Sequence, residues 1–565
     1  MKNNLNLLRT VAPLVAALLV ASPPLTTLAA APVTPDAGSI LQQIQPPTPP
    51  LPSSGETGLT IERADGSTLP PSVPLLVQSI LITDNTLFDT LTLLALVADA
   101  QGQTLTLPQL GELASRITDY YQSHGYPLAR AIIPAQTIAA GVVRIEVIEA
   151  RYGQISIDNS SRVKDGLLQA TLATLQGGQA IGQTEMDHAL LLLSDIAGVE
   201  ISATLKPGEA VGTSDLLVST TPRPTIWGNV VLDSYGSSYT GRARIGGTVN
   251  FFNPLHHGDT FSVSGLNSGK GLNYGRLFYE TVLNGLGTRL GVAYSTLDYT
   301  LGEPVAALNA HGTAQVSSLW AKHPLVRSRA VNLYGQIQYD GLQLRDHIDA
   351  SGIQTDRSLD NWTLSLNGDV RDSFLSGGIN MWSLGWTAGR VGFDNVAASA
   401  NDAATAKTQG NFSKWNANFS RLQGVSAVDT LYLAFSGQWA NTNLDSSQKM
   451  SAGGVNTVRA YDTGAVSGDR GYFVSAEYRH TLNQAGAGQW TALAFIDSAR
   501  VTVNQNTWAG GENSATLSGA GVGLNWNGPD LWSAKAYVAT PIGETPALVG
   551  GTNTTRAGVE LSRRF

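Results

Sequence analysis

Apolar and polar residues alternate in segment after segment from Pro224 to the end of the chain. Within 429–440, for example, Leu431, Leu433 and Phe435 fall on one face while Ser436 and Gln438 fall on the other. A period of two is typical of a strand with lipid on one side and water on the other. We count sixteen such segments in 223–565, which predicts a transmembrane β-barrel of 16 antiparallel strands.

The gaps between these segments alternate in length. Gaps after even-numbered segments are mostly short turns, and several gaps after odd-numbered segments are longer and polar. Outer-membrane barrels place short turns in the periplasm and long loops outside. A soluble β-solenoid or sandwich is the alternative, but it does not account for the alternating gaps. The last segment ends in Phe565, and a final strand ending in Phe resembles the signal that the outer-membrane barrel-assembly machinery reads.

Residues 73–222 have a different pattern, with helical stripes between short strands. In the helix predicted from Pro108 to Tyr121, Leu110, Leu113 and Ile117 lie on one stripe. The order strand, helix, helix, strand, strand occurs twice, over 73–150 and 151–222, and this order resembles the α+β POTRA (polypeptide-transport-associated) domain. Two unrelated α+β domains remain the alternative. Such modules expose a sheet edge to which an extended peptide can add as a strand.

Residues 1–31 have the features of an export signal. Lys2 and Arg9 provide a basic start, Val11–Val20 is apolar but too short to span a bilayer, and small residues follow at 28–31. A membrane anchor is the alternative. The sequence therefore predicts export and cleavage near residue 31.

Residues 32–72 are a proline-rich linker that favours extended polyproline geometry. A short helix is predicted within it at 36–45, because Asp36 can cap the helix and Ile40, Leu41 and Ile44 share one face. A nascent helix without a role is the alternative.

Composition narrows the possible chemistry. The chain has no cysteine, which excludes disulfides and thiolate metal sites, and its net charge of −8 with a pI of about 5.5 argues against nucleic-acid binding. The eight histidines have no metal-ligand spacing, and the pair His256–His257 is typical of a turn. No HExxH, GxSxG or GxxxxGK[ST] motif occurs. We therefore predict neither a cofactor nor a metal site, and no enzymatic activity.

The longest gap, 441–468, contains the segment Val458-Arg459-Ala460-Tyr461. In the thirteenth predicted strand, Phe495 and Asp497 share one face. A carboxylate facing hydrocarbon is costly, so both side chains are expected to point into the lumen. An arginine on a loop folded into the lumen would lose its water, and a bidentate contact with a carboxylate would compensate.

Together these features resemble the two-partner secretion transporters of the TpsB family, which are relatives of the barrel-assembly proteins. The resemblance covers nearly the whole mature chain and implies that loop 441–468 enters the pore, where Arg459 meets Asp497. The family has glycine where this chain has Ala460 and Ala499. Because alanine does not take positive φ freely, the backbone at Ala460 is expected to be ordinary. The resemblance also implies that the helix 36–45 plugs the pore at rest.

The function implied is transport of an unfolded partner exoprotein, a large β-helical protein with its own secretion domain, across the outer membrane of a Gram-negative bacterium. The POTRA modules would lie in the periplasm and the barrel in lipid, with the barrel-assembly machinery as a partner during biogenesis. A barrel-assembly insertase and a passive porin are the alternatives. Arg459 with Asp497 is interpreted as a latch for transport or, alternatively, as a salt bridge that only stabilises the barrel.

Overall fold

The computed structural model describes residues 34–44, 59–61, 72–482, 488–549 and 554–565. Sixteen antiparallel strands close into a barrel in which each strand pairs with the next along the chain. The predicted fold class is therefore confirmed. The strands are β1 Ile226–Asp233, β2 Arg244–Phe252, β3 Thr260–Asn267, β4 Leu272–Val282, β5 Arg289–Thr300, β6 Ala310–Arg327, β7 Val331–Ile348, β8 Ile353–Asp372, β9 Gly378–Phe393, β10 Gly410–Gly424, β11 Asp429–Ala440, β12 Arg470–Thr481, β13 Gln489–Thr502, β14 Ser514–Asn527, β15 Trp532–Pro541 and β16 Arg556–Arg564.

The alternation of side chains along each strand separates the two faces of the barrel wall. In β13, Ile496 is 53% exposed on the outer face, whereas its neighbours Phe495 and Asp497 are buried on the inner face. The same alternation gives the barrel an apolar exterior and an interior that admits charged side chains.

The barrel closes between its first and last strands. The register runs from Asn229 opposite Arg564 to Asp233 opposite Glu560. Two backbone hydrogen bonds between Gly228 and Phe565, of 2.9 and 3.0 Å, extend this seam to the last residue of the chain. The C-terminal Phe565 is thus part of the closure, while its side chain stays exposed.

The first POTRA module packs two helices on a three-stranded sheet. Its core contains Leu110, Leu113 and Ile117, the stripe expected from the sequence, together with Tyr121 and Val143. The strands are Ser79–Thr83, Arg130–Ile132 and Val142–Ile148, the helices are Thr90–Ala95 and Leu107–Ser123, with a 3₁₀ turn at Ala98–Ala100, and a small sheet joins Leu75–Leu76 to Thr104–Leu105.

The second POTRA module has a four-stranded sheet, and its outermost strand comes from the linker. Leu59–Ile61 pairs in parallel with the strand Val199–Pro207, so this part of the linker adds to the sheet rather than standing alone in polyproline geometry. The other strands are Arg151–Asn159 and Thr213–Pro222, and the helices are Asp165–Leu172 and Gln183–Ser194.

One buried carboxylate, Glu149, lies at the boundary between the two modules. Glu149 accepts hydrogen bonds from the backbone N–H groups of Thr86 (2.7 Å) and Leu87 (2.8 Å) and from the Tyr121 hydroxyl (2.8 Å), and it lies 3.4 Å from Arg151. Burial alone would raise the pKa of Glu149, but the hydrogen bonds outweigh it and lower this pKa below its ordinary value. The charged carboxylate orders the end of the first module and contacts Arg151 at the start of the second.

The second module is also tied to the barrel. Asp195, just after the helix Gln183–Ser194, makes a bidentate ion pair with the buried Arg327 at the end of β6, with both N–O distances 2.8 Å. Arg329 contacts Asp187 of the same helix at 2.6 Å. These contacts fix the module at the end of the barrel where the short turns lie.

Within the described part of the chain, no helix is long and apolar enough to cross a bilayer. The predicted signal at 1–31 and most of the linker 32–72 lie outside the described residues. The remaining helix bounds are Ala37–Gln43 and Val396–Ala404, with 3₁₀ turns at Ala306–Leu308, Ser446–Gln448 and Pro529–Leu531.

Candidate functional site in the barrel lumen

The loop between β11 and β12 folds back against the inner wall. Its two arms pair as a short hairpin, Met450–Ala452 with Val466–Gly468. Gly453 and Gly454 begin the tip with φ values of +103° and +100°. A side chain at Gly453 would collide with the backbone of Asp462 across the tip, so both the conformation and the close approach require glycine there.

Arg459 at this tip meets Asp497 of β13. Its Nε lies 2.8 Å and its Nη2 2.9 Å from the two carboxylate oxygens, and the Arg459 backbone N–H donates to Asp497 at 3.2 Å. Asp497 is 1% exposed. A bidentate, charge-assisted pair shielded from water is among the stronger polar contacts in proteins.

Further side chains complete this first cluster. Arg459 also pairs with Glu477 of β12, which in turn accepts from Arg479 at 2.7 Å. Ser475 donates to Asp497 at 2.7 Å. The guanidinium carbon of Arg459 lies 3.3 Å from the centroid of the Phe495 ring, a cation–π contact. Two arginines thus face two carboxylates, and the cluster is electrically balanced.

The residues beside Arg459 anchor the tip by packing. Val458 and Ala460 are fully or almost fully buried, and Tyr461 is buried as well. Ala460 has an ordinary negative φ, as its side chain requires. Its methyl group lies where a side chain on Gly519 of β14 would be, so the glycine on the wall leaves space for the alanine on the loop.

A second ion-pair contact ties the tip to the closing seam. Asp462 lies 2.8 Å from Arg242 and also pairs with Arg556 at the start of β16. The Thr463 hydroxyl donates to the backbone carbonyl of Tyr235 at 2.8 Å. The loop tip therefore contacts the wall on β12–β14 and again beside β1 and β16.

The N-terminal helix Ala37–Gln43 lies in the same lumen. Asp36 caps it by accepting from the Ser39 backbone N–H at 2.9 Å. Ala37 and Ile40 are 0% and 1% exposed, and with Ile44 they pack against inward-facing side chains of β4–β11, including Leu297 and Leu344. Burying a side chain the size of isoleucine contributes about 1.5–3 kcal/mol, so this short helix is held mainly by the barrel.

Arg357 of β8 forms a second cluster where the helix, the loop and the wall meet. Its guanidinium lies 2.6 Å from Asp36 of the helix, 2.6 Å from Asp445 of the loop and 3.2 Å from Asp346 of β7. Asp346 also accepts from the Ala37 backbone N–H at 2.7 Å and from the Tyr299 hydroxyl at 2.6 Å. Three carboxylates surround one arginine, so negative charge is in excess.

The helix and the loop also touch directly. The Ser446 hydroxyl of the loop donates to Asp36 at 2.7 Å, and the Gln42 amide donates to the Ser447 carbonyl. A side chain at Gly38 would collide with Ser446. The close helix–loop contact therefore depends on the glycine.

Sequence reasoning singled out Arg459, Asp497 and Phe495, and the structure brings these three together. It missed Glu477 and Arg357. Glu477 had a detectable signal, because it lies on the polar face of a strand paired with the one that contains Asp497. Arg357 had a weaker signal, since only Asp346 lies on the neighbouring strand. Its other partners, Asp36 and Asp445, lie on distant segments of the chain. No group of His, Asp and Glu suited to a metal ion occurs among the residues that the structure describes.

This arrangement places a folded loop and a helix inside the cylinder, bound by ion pairs and apolar packing rather than by continuous backbone pairing. A model of the haemolysin secretion/activation protein family ShlB/FhaC/HecB matches residues 212–526, and the ShlB-type POTRA domain matches residues 75–150. The chain belongs to this family. Its members are two-partner secretion transporters of the outer membrane, whose POTRA domains are periplasmic.

Curated relatives extend over most of the chain. The heme/hemopexin transporter protein HuxB of Haemophilus influenzae is 26% identical over 446 residues, which are 78% of this chain and 79% of the relative. The outer membrane transporter CdiB of Escherichia coli strain 536 is 23% identical over 448 residues, which are 76% of this chain and 73% of the relative. The predicted family membership and location in the outer membrane are confirmed.

Solved structures show the same fold. CdiB from Escherichia coli matches with a TM-score of 0.70 at 21% identity, covering 91% of this chain and 94% of that one. BamA from Haemophilus ducreyi lacking POTRA domains 1–3 matches with a TM-score of 0.51 at 16% identity, covering 87% of this chain and 100% of that one.

Proposed function

We propose that this protein carries an unfolded partner exoprotein from the periplasm through its barrel to the cell surface. The exoprotein docks as an added strand on a POTRA sheet edge. The N-terminal helix then leaves the lumen, and the exoprotein threads through the barrel. The contact that supports this most directly is Asp36–Arg357–Asp445, where the N-terminal helix meets the inserted loop. Because the sequence has no ATP-binding motif, folding at the surface supplies direction by making backward sliding unfavourable.

Coexpression tests transport. The chain and the β-helical exoprotein expected from the neighbouring reading frame are produced together, and the exoprotein is measured in the medium. Release that depends on this chain supports the proposal. An exoprotein that reaches the surface equally well without the chain contradicts it.

The role of the N-terminal helix as a plug is tested by deleting residues 36–45. Its apolar face packs against inward-facing side chains of the wall, and ion pairs and hydrogen bonds join it to the wall and the loop. The deletion is expected to raise the ion conductance of reconstituted pores. Replacing residues 46–55 with a Gly/Ser segment of the same length is the control, because it keeps both Ala37–Gln43 and the length of the connection. An unchanged conductance after the first deletion excludes the plug role.

Arg459 is proposed to act as a latch that holds the loop ready for transport. The alternative is a salt bridge that serves only barrel stability. In an Arg459→Ala variant the latch role predicts normal barrel assembly, seen as heat-modifiable gel migration, with secretion reduced at least tenfold. A barrel that fails to assemble supports the alternative.

The insertase alternative shares the fold with BamA, and that likeness at 16% identity concerns the fold alone. Two POTRA modules and a helix in the lumen favour secretion over insertion. A passive porin would need neither the modules nor the loop ion pairs.

A further inference from the structure

The inner wall of the barrel carries two rows of apolar side chains beneath the N-terminal helix. The first row crosses β3–β7 through residues that lie directly opposite one another in the register, namely Leu266, Tyr274, Leu297, Ala314 and Leu344. The second row crosses β6–β9 in the same way through Val316, Leu342, Leu359 and Val391. We call these two rows the luminal belt. Its first row ends at the Arg357 cluster, because Arg357 lies opposite Leu344.

The luminal belt lies toward the extracellular end of the barrel. Arg327 at the other end of β6 contacts the second POTRA module, which places Ala314 on the side away from the periplasm. Nearer the periplasm the same face of β6 and β7 is polar, since Ser318 donates to Asp340 at 2.6 Å and Gln338 donates to that carboxylate at 2.9 Å. The interior of an outer-membrane barrel is usually polar, so an apolar stretch of inner wall calls for a separate cause.

The N-terminal helix covers the luminal belt at rest with a small apolar face. Ala37, Ile40 and Ile44 pack in the same cluster as the belt, and the helix lies against β5, β6 and β7. Leu297 and Leu344 of the belt are 0% exposed. The helix has only 7 residues. Once it leaves, apolar side chains of the wall face water, and this is unfavourable until another apolar group covers them.

We propose that the luminal belt is a binding surface for extended segments of the exoprotein in which apolar and polar residues alternate, and that it binds them after the helix has left. This inference rests on the proposed transport function. An extended chain presents the same face every two residues, about 6.6 Å apart. Leu342 and Leu344 have the same spacing along β7, so alternate side chains of a passing segment can contact successive apolar residues of the wall.

The chemistry of the exoprotein fits this surface. Successive side chains of a strand point to opposite faces, so the strands of a β-helical exoprotein carry an apolar residue at every second position. Before the exoprotein folds, these residues are exposed to water, and the belt shields them. Every barrel strand is already paired on both sides, so the passing segment contacts side chains and cannot add to the wall as a strand. The contact therefore remains reversible, as passage through a pore requires.

Polar replacements separate a binding surface for the exoprotein from a surface that only holds the helix. Leu297→Asn/Leu344→Asn is introduced into the chain that lacks residues 36–45, where the belt has no helix to hold. The control is Ile379→Asn/Leu422→Asn in the same deletion. This pair is also opposite in the register and faces the lumen, but it lies at the periplasmic ends of β9 and β10. Heat-modifiable gel migration checks barrel assembly, and secretion of the coexpressed exoprotein is compared with the deletion alone.

Leu297→Asn/Leu344→Asn is expected to lower secretion by about fivefold, because the passing segments lose their apolar contact, and the control pair is expected to leave secretion unchanged. Unchanged secretion in the first pair overturns the binding surface and leaves the transport function standing. An equal fall in the control pair also overturns it, since any polar change in the lumen would then have the same effect. An unmodified chain that secretes nothing overturns both.

Disulfide capture is a second test, in the chain that keeps its helix, and it decides the matter if the first pair does not assemble or the deletion alone does not secrete. The chain has no cysteine of its own. Ala314→Cys places a thiol in the belt, and Ser365→Cys places a control thiol on the polar inner wall of β8. The exoprotein is halted in transit by a folded domain fused to its C-terminus, and it carries single cysteines at successive positions of an alternating segment.

Under oxidation, Ala314→Cys is expected to capture the apolar positions of the segment about fivefold more than their polar neighbours, because only one face of an extended chain meets the belt. Ser365→Cys is expected to show no such preference. Equal capture of apolar and polar positions by Ala314→Cys overturns the proposal.

Discussion

Arg459 and Arg357 both lie in the barrel lumen, but their clusters differ in charge balance and in what they join. Arg459 sits on the loop and faces Asp497 and Glu477 on the wall, with Arg479 balancing the second carboxylate. Arg357 sits on the wall and faces three carboxylates, one each from the helix, the loop and the wall. A balanced pair resists separation, whereas excess negative charge weakens the hold on each carboxylate.

The difference indicates how one lumen can hold two segments with different strength. When the helix leaves, the Arg459 cluster loses no partner. The Arg357 cluster loses Asp36 and comes closer to neutrality. We therefore interpret the loop tip as the fixed element and the helix as the releasable one.

Asp497→Asn is expected to have the largest effect. The amide cannot replace the bidentate pair, and breaking a buried ion pair by removing one partner costs about 3–5 kcal/mol. Secretion of the exoprotein is expected to fall at least tenfold. The control is Asp360→Asn, which alters a strand carboxylate that is exposed and bonded to Tyr339. If secretion is normal in Asp497→Asn, the loop tip does not need this anchor.

Arg357→Gln is expected to open the pore. Three carboxylates would then face one another without a cation, and Asp36 would be repelled together with its helix. We expect about a tenfold rise in conductance in planar bilayers, with the barrel still assembled. Arg421→Gln is the matched control, because Arg421 pairs with Asp372 and also bonds Asn380 and Gln423, all of which lie on the wall or its turns. If both variants raise the conductance equally, the loss of any arginine from the barrel wall opens the pore, and release of the helix is not the cause.

Gly519→Ala tests the packing that accommodates Ala460. The added methyl group would collide with the Ala460 side chain, and overpacking costs about 1–3 kcal/mol. The variant is expected to unfold at a lower denaturant concentration and to secrete less of the exoprotein. Adding Ala460→Gly is expected to restore both properties, because it exchanges the two residues across the contact. If the double variant stays as unstable and secretes as little as Gly519→Ala, the two positions do not pack against each other as described.

Asp346→Asn is expected to have the smallest effect. It removes one surplus carboxylate, and the amide oxygen can still accept from Ala37 and Tyr299. Conductance is expected to stay the same or to fall by about twofold as the helix is held more firmly. A rise like that of Arg357→Gln would show that the excess charge does not weaken the helix.

Much of the fold was predictable because its cause is local. The period-two alternation around Leu431 or Ile496 reflects lipid on one face of every strand, and the Leu110–Ile117 stripe reflects one buried face of a helix. The linker strand at Leu59–Ile61 was not predictable. Three residues in a proline-rich segment carry little pattern, and a sheet edge formed by Val199–Pro207, far along the chain, pairs with them.

The candidate site divides in the same way. The identity of Arg459 and Asp497 was evident because a charge in an apolar strand or loop needs a partner wherever it lies. The cluster at Arg357 joins Asp346, which lies on the paired neighbouring strand, to Asp36 and Asp445, which approach only when the barrel closes around the helix and the loop.

The sequence by itself determined the sixteen alternating strands, the two α+β modules and the arginine of the loop, because each follows from periodicity or from the cost of burying a lone charge. Only the tertiary structure decided that one arginine is balanced while the other faces three carboxylates, and that the linker covers a sheet edge. These features arise from contacts between distant segments, where the electrostatic energy depends on distances that closure of the barrel and packing of the modules set.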